Sequence, residues 1–225
     1  MMGTKHRVNQ DSFYVKQEGK KSLCIVADGM GGHNAGDVAS KNAIEILSKI
    51  KKFDEKTIKS AITEANNSIF DMSKCDKSLE GMGTTVVMAL VKGENATIVN
   101  VGDSRAYGIN RMVAKQITID HSYVQELISD GKITLAEANK HPLKNIITKA
   151  VGVAESVEPN ICEVTMGKDE IILLCSDGVS GAVSEEEMIA CCYEYIPPQA
   201  AEMLCRLAVK NGATDDVTAI VIRID

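Results

Sequence analysis

Helix-like segments in this chain come in pairs, set between runs of consecutive strand-like segments, and that order excludes the strict βαβ alternation of a parallel sheet. Residues 22–27 form a short apolar run closed by Asp28-Gly29, the pattern of a buried strand. Two amphipathic helices are expected next. Ala39, Ala43, Ile46, Leu47 and Ile50 recur at helical spacing, and so do Ile58, Ala61, Ile62, Ala65, Ile69 and Met72. Four strand-like runs follow, at 84–91, 96–101, 105–109 and 112–117. A mixed segment from 120 to 152 holds helical stretches near 123–130 and 135–140. Strands near 161–166 and 170–176 precede helices at 184–193 and 198–211, and VTAIVIRI closes the pattern as a strong strand. Pro197 and Pro198 suit a helix start, where a missing N–H costs nothing. The whole order predicts an α+β fold with mostly antiparallel sheets packed face to face and helices outside.

The 225 residues, 44% hydrophobic and 25% charged, are enough to bury a core without disulfides. No Pro- or Ser-rich linker divides them, so a single domain over 1–225 is expected. A net charge of -6 with no basic run argues against a nucleic-acid partner. The seven cysteines are odd in number, form no C-x-x-C and sit mostly in apolar runs, which reads as buried, reduced thiols. MMGTKHRVNQDSF has no apolar leader core, and no apolar run approaches ~20 residues. A soluble cytoplasmic protein without a membrane partner is expected.

The informative residues are acids at the ends of apolar runs. Asp11 lies in NQDS, Asp28 ends LCIVAD, Asp103 ends TIVNVGD, Asp177 ends IILLCSD, and Asp215 and Asp216 begin the final strand. A strand end fixes a carboxylate, and an adjacent Gly lets backbone or ligand come close. Carboxylates gathered at one edge repel one another unless a cation sits among them, and all-oxygen ligands select hard ions such as Mg²⁺ or Mn²⁺. Taken singly, each Asp-Gly reads more readily as a turn; it is their number in one chain that points to a cation site.

NQDS, VADGMGGHNAGDVAS, GMGTTVVMAL, NVGDSRAY, LLCSDGVSG and ATDDVTAIVI occur in this order and spacing. Together they resemble the type 2C metal-dependent protein serine/threonine phosphatases, particularly the small bacterial stand-alone catalytic domains. The resemblance implies a four-layer α-β-β-α sandwich with two central sheets, and a flap over roughly 120–152 beside the site. It implies two Mn²⁺ or Mg²⁺ ions. Asp28 would bridge them and the Gly29 carbonyl would complete one site, while Asp177 and Asp215 would hold the other metal. Asp11 would stand in the shell behind. Asp103 resembles the acid that helps to bind a weaker third metal. A water or hydroxide bridging the two ions would attack phosphoserine or phosphothreonine in line, without a phosphoenzyme. Phosphorylated proteins, as targets of a Ser/Thr kinase, are the implied partners, and a monomer is the default state.

Three positions depart from the family pattern. His6 stands where an Arg usually holds substrate phosphate, with Arg7 one residue later; either is a candidate phosphate ligand. Gly181 stands where many members carry an Asp beside the third metal, and Met30 where eukaryotic members often carry a His. His33 is a candidate proton donor or a plain loop residue; His121 and His141 read as structural or flap residues. Other phosphate chemistries leave no mark: no Cys has an Arg six residues on, no Gly-Lys is followed by Ser or Thr, and no Asp-x-Asp-x-Thr occurs. The alternative from a different class is a catalytically weak phosphoprotein-binding or regulatory module on the same fold.

Overall fold

The computed structural model describes residues 1–4, 8–31 and 35–224. Two antiparallel sheets stack face to face. The first has the strand order β1 (Asp11–Glu18), β2 (Lys21–Met30), β4 (Val86–Lys92), β5 (Asn95–Val101), β8 (Asn160–Thr165), with the short β3 (Gly83–Thr84) pairing beyond the end of β2. The second runs β10 (Ala219–Arg223), β9 (Ile171–Cys175), β6 (Arg105–Ile109), β7 (Ala114–Gln116). Every strand pairing among the described residues is antiparallel.

Strand alternation builds three apolar layers from one sequence pattern. Leu23 and Ile25 of β2, with Val86, Met88 and Leu90 of β4, face α1 (Ala35–Leu47) and α2 (Glu55–Cys75). Their neighbours Cys24, Val26, Val87 and Ala89 face the second sheet, where they meet Ala106, Ile172 and Leu174. The other face of that sheet, Tyr107, Ile171, Leu173 and Cys175, packs under α6 (Glu185–Glu194) and α7 (Pro197–Lys210). Hence the four-layer α-β-β-α order, with the central strands of both sheets buried on both sides.

The helices start where their caps dictate. The Asp54 side chain accepts the Thr57 amide at 2.9 Å, and α2 then buries Ile58, Ile62, Ala65 and Ile69 on one stripe. Each fully buried Ile contributes about 1.5–3 kcal/mol. Ser184 and Glu187 form a capping box on α6, and Pro197 opens α7. Within 120–152 lie α3 (Tyr123–Ser129) and α4 (Leu135–Ala138).

Three details add to or adjust the expected pattern. The opening strand, to which the sequence pattern assigned no range, pairs with β2 over all eight residues of β1. The run at 112–117 shortens to Ala114–Gln116, because the Met112 and Val113 amides fold back onto Asn110 Oδ1 at 2.9 Å in a turn. A short helix, α5 (Asp177–Ser180), follows β9 directly. No helix among the described residues is long and apolar enough to cross a membrane.

Candidate active site

Antiparallel pairing brings the predicted acids to one end of the sandwich. Asp11 and Asp28 are cross-strand partners in β1 and β2, so both carboxylates stand on the same face. Asp28 shares the alternation of Cys24 and Val26, which face the second sheet. Val26 pairs with Val87 and Val86 pairs with Val101, so the end of β5, and Asp103 beyond it, lies at this same end. From the second sheet, Cys175 pairs with Ala219, which brings Asp177, just after β9, to the same end as Asp215, just before β10.

Backbone contacts hold these turns tightly. Thr85 donates its amide to the Asp28 carbonyl at 2.8 Å and accepts the Asp28 amide on Oγ1 at 3.0 Å. That same Oγ1 lies 2.7 Å from Ser104 Oγ, beside Asp103. A Cβ on Gly29 would fall 2.0 Å from the Gly36 carbonyl oxygen, so the first turn of α1 packs directly on the Asp28-Gly29 backbone. A Cβ on Gly178 would likewise fall 2.2 Å from the Asp216 carbonyl oxygen, fixing the turn after Asp177.

The electrostatics report a mutual repulsion. Asp28 titrates well above the usual carboxylate range, first because it is withdrawn from water and then because Asp11, Asp177, Asp103 and Asp215 all act on it. Burial raises Asp11 to about 6, with Asp216 and Asp177 adding to it, against hydrogen bonds from Thr218 and Ser176. Burial, Asp177 and Asp120 raise Asp103 to about 7. Asp11, Asp103, Asp177 and Asp215, the other four acids assigned to the site, therefore all stand within electrostatic reach of Asp28.

A residue set that binds a cation should contain buried oxygens lacking a protein donor. Asp11 Oδ1 and Asp103 Oδ1 are buried without a hydrogen-bond partner, while Asp11 Oδ2 accepts from Ser176 Oγ at 2.9 Å. The donor chemistry, carboxylates with neighbouring carbonyls, fits hard divalent ions. Among the described residues no three His, Cys, Asp or Glu side chains are drawn close enough to grip an ion as they stand. Asp216 is employed otherwise: it is buried, and its carboxylate accepts the Gly3 amide at 2.8 Å and the Gln10 amide at 2.7 Å.

Residues 3–211 match the family model of protein phosphatase 2C. The chain belongs to the protein phosphatase 2C family. The serine/threonine phosphatase stp of Listeria monocytogenes serotype 4b is 35% identical over 231 residues, covering 98% of this chain and 92% of that protein. The serine/threonine protein phosphatase PstP of Mycobacterium tuberculosis is 36% identical over 219 residues, 95% of this chain but 41% of the longer relative. The crystal structure of the serine/threonine phosphatase Stp1 from Staphylococcus aureus superposes with a TM-score of 0.91 at 34% identity, covering 100% of this chain and 92% of that one. A crystal structure of the PstP catalytic domain in complex with two manganese ions gives a TM-score of 0.84 at 33% identity, over 98% and 94% of the two chains.

Gly181 is exposed at the end of α5, one turn after Asp177, with its amide donating to the Asp177 carbonyl at 2.7 Å. His6, Arg7 and His33 lie outside the described residues. Conversely, sequence reading attached no role to Ser176, Thr85 or Asp120. Ser176 precedes Asp177 and Thr85 sits in the quoted GMGTT segment, so both were within reach of a closer reading. Asp120 forms a bidentate pair with Arg105, with Nε to Oδ1 at 3.1 Å and Nη2 to Oδ2 at 2.7 Å. A cavity of about 910 Å³ opens beside Phe53, Thr97 and Glu163 and is lined by none of the clustered aspartates.

Proposed function

We propose that the chain is a single catalytic domain, 1–225, that hydrolyses phosphoserine and phosphothreonine in proteins with a dimetal centre. The observation that carries this reading is the convergence of Asp11, Asp103, Asp177 and Asp215 on Asp28 at one end of the sandwich. Asp28, Asp177 and Asp215, with the Gly29 carbonyl, are assigned as ligands of two Mn²⁺ or Mg²⁺ ions, and Asp103 as the acid of a weaker third. When bound, such ions acidify a shared water and offset the charge of the phosphoryl oxygens.

The protein's own groups then hold and orient. Ser176 Oγ fixes Asp11 Oδ2, which leaves the other, buried oxygen of Asp11 as an acceptor for a proton of nucleophilic water. Thr85 sets the Asp28 backbone. Arg7, with His6 beside it, is assigned to the substrate phosphate, and residues 120–152 to a flap that selects the phosphoprotein. Targets of a Ser/Thr kinase, a monomeric state and a cytoplasmic location complete the reading.

Hydrolysis of a phosphothreonine peptide with EDTA, Mg²⁺ or Mn²⁺ tests it. Phosphate release that requires metal is expected; a folded sample that releases none with any metal would refute the assignment.

A further inference from the structure

His121 lies at the joint between the acid cluster and the segment that leaves it. Its backbone amide donates to the Gly102 carbonyl at 2.9 Å, and the Gly102 amide donates back to its ring Nδ1 at 3.1 Å. Gly102 is thus held from both sides by one residue. It has little freedom of its own: φ is +102°, and a Cβ there would come 2.6 Å from the Thr85 methyl. The next residue is Asp103, whose Oδ1 is buried and unsatisfied.

On its other side, the His121 carbonyl accepts the Thr148 amide at 2.8 Å. Ser122 bridges to Ile147, and the Tyr123 amide donates to the Ile146 carbonyl at 2.9 Å. The returning arm of the 120–152 segment is therefore tied to the same residue that grips Gly102. That arm continues to Val151, which pairs with Thr84 beside Asp28.

His121 is buried, with 8% of the residue exposed. Accepting at Nδ1 requires a neutral ring with its proton on Nε2. Burial and nearby Lys149 lower its pKa below the usual histidine value, against smaller effects of Asn160, Asp120 and Glu126. A buried ring with one nitrogen committed to a catalytic turn is more than packing requires, since an apolar side chain would fill the space at lower cost.

We propose that His121 is a positioning residue for Asp103: its ring and backbone clamp Gly102 and yoke the Gly102–Asp103 turn to the returning arm at 146–148. This rests on the reading of Asp103 as a metal ligand. Asn offers a carbonyl oxygen branching from Cγ, as Nδ1 does, and can accept the Gly102 amide; Ala and Leu cannot.

The test compares wild type, H121A, H121L and H121N. Mn²⁺ binding is titrated by electron paramagnetic resonance of the free ion. Steady-state hydrolysis of a phosphothreonine peptide is followed as Mn²⁺ is varied. H121A and H121L should need about tenfold more Mn²⁺ for half-saturation of the weakest site. Both should lower kcat with little change in the peptide KM, and H121N should recover most of both losses. H121L keeps the core filled should H121A fail to fold. Wild-type Mn²⁺ binding and kcat in folded H121L would overturn the proposal. So would a loss that H121N does not relieve, because volume rather than the acceptor would then matter. A wild-type protein that binds Mn²⁺ but releases no phosphate would sink the phosphatase reading alone, with the binding shift still judging His121.

Discussion

Asp216 and Gln10, 206 positions apart in the chain, are joined by a hydrogen bond of 2.7 Å from the Gln10 amide to the Asp216 carboxylate. The other Asp216 oxygen takes the Gly3 amide at 2.8 Å. Asp216→Ala should therefore lower stability by about 2–4 kcal/mol, because two backbone donors lose a charged acceptor at once. Relief of the repulsion between Asp216 and Asp11 offsets part of this. Urea denaturation in EDTA reads the change, and an unmoved midpoint would mean that the N-terminal segment is held by other contacts.

Without metal the acid cluster should make the fold less stable as pH rises. Asp11 and Asp103 titrate near 6 and 7 in the folded state, against about 3.9 when unfolded. The folded state thus keeps protons that the unfolded state has released. That stability is complete below about pH 4 and is lost as pH climbs through 6 and 7. Melting temperatures in EDTA should fall from pH 4.5 to 7.5, and saturating Mn²⁺ should reverse the trend at the upper end. A flat profile in EDTA would contradict the repulsion.

Asp28→Asn should abolish Mn²⁺-dependent turnover while the fold persists. Four carboxylates act on Asp28, so removing its charge should leave the metal-free protein melting at or above the wild-type temperature. Full phosphatase activity in this variant would remove Asp28 from the dimetal assignment.

His6→Arg should lower KM for a phosphopeptide by about tenfold, the equivalent of one charged hydrogen bond of ~1.5 kcal/mol. An unchanged KM would indicate that Arg7 already holds the phosphate, or that position 6 does not meet it.

Much of this architecture was legible in the chain. Strands such as Val86–Lys92 alternate between two apolar layers, and α2 shows its buried stripe at Ile58, Ile62 and Ile69. Short or polar elements were harder to read. The far half of β1, Lys16 to Glu18, is exposed and charged, so only its pairing with Leu23 to Lys21 reveals a strand. The four residues of α5 are too few for a helical period. The acids stood out because strands end on them. What sequence alone could not show is which partner each acid meets: Ser176 on Asp11, 165 positions away, or the Gly3 and Gln10 amides on Asp216. The family resemblance already points to Asp215 rather than Asp216 as the ligand, whereas the grip of His121 on Gly102 rests on a contact between distant positions.

The cysteines divide sharply by surroundings. Cys24, Cys175 and Cys192 are buried, and withdrawal from water pushes each thiol up to about 12. Cys191 and Cys205 are also buried, which leaves Cys75 at the end of α2 and Cys162 on β8 exposed. A thiol-directed fluorophore would therefore partition onto two strand-edge and helix-end positions of the first layers, giving the native chain a pair of optical handles that needs no engineered cysteine.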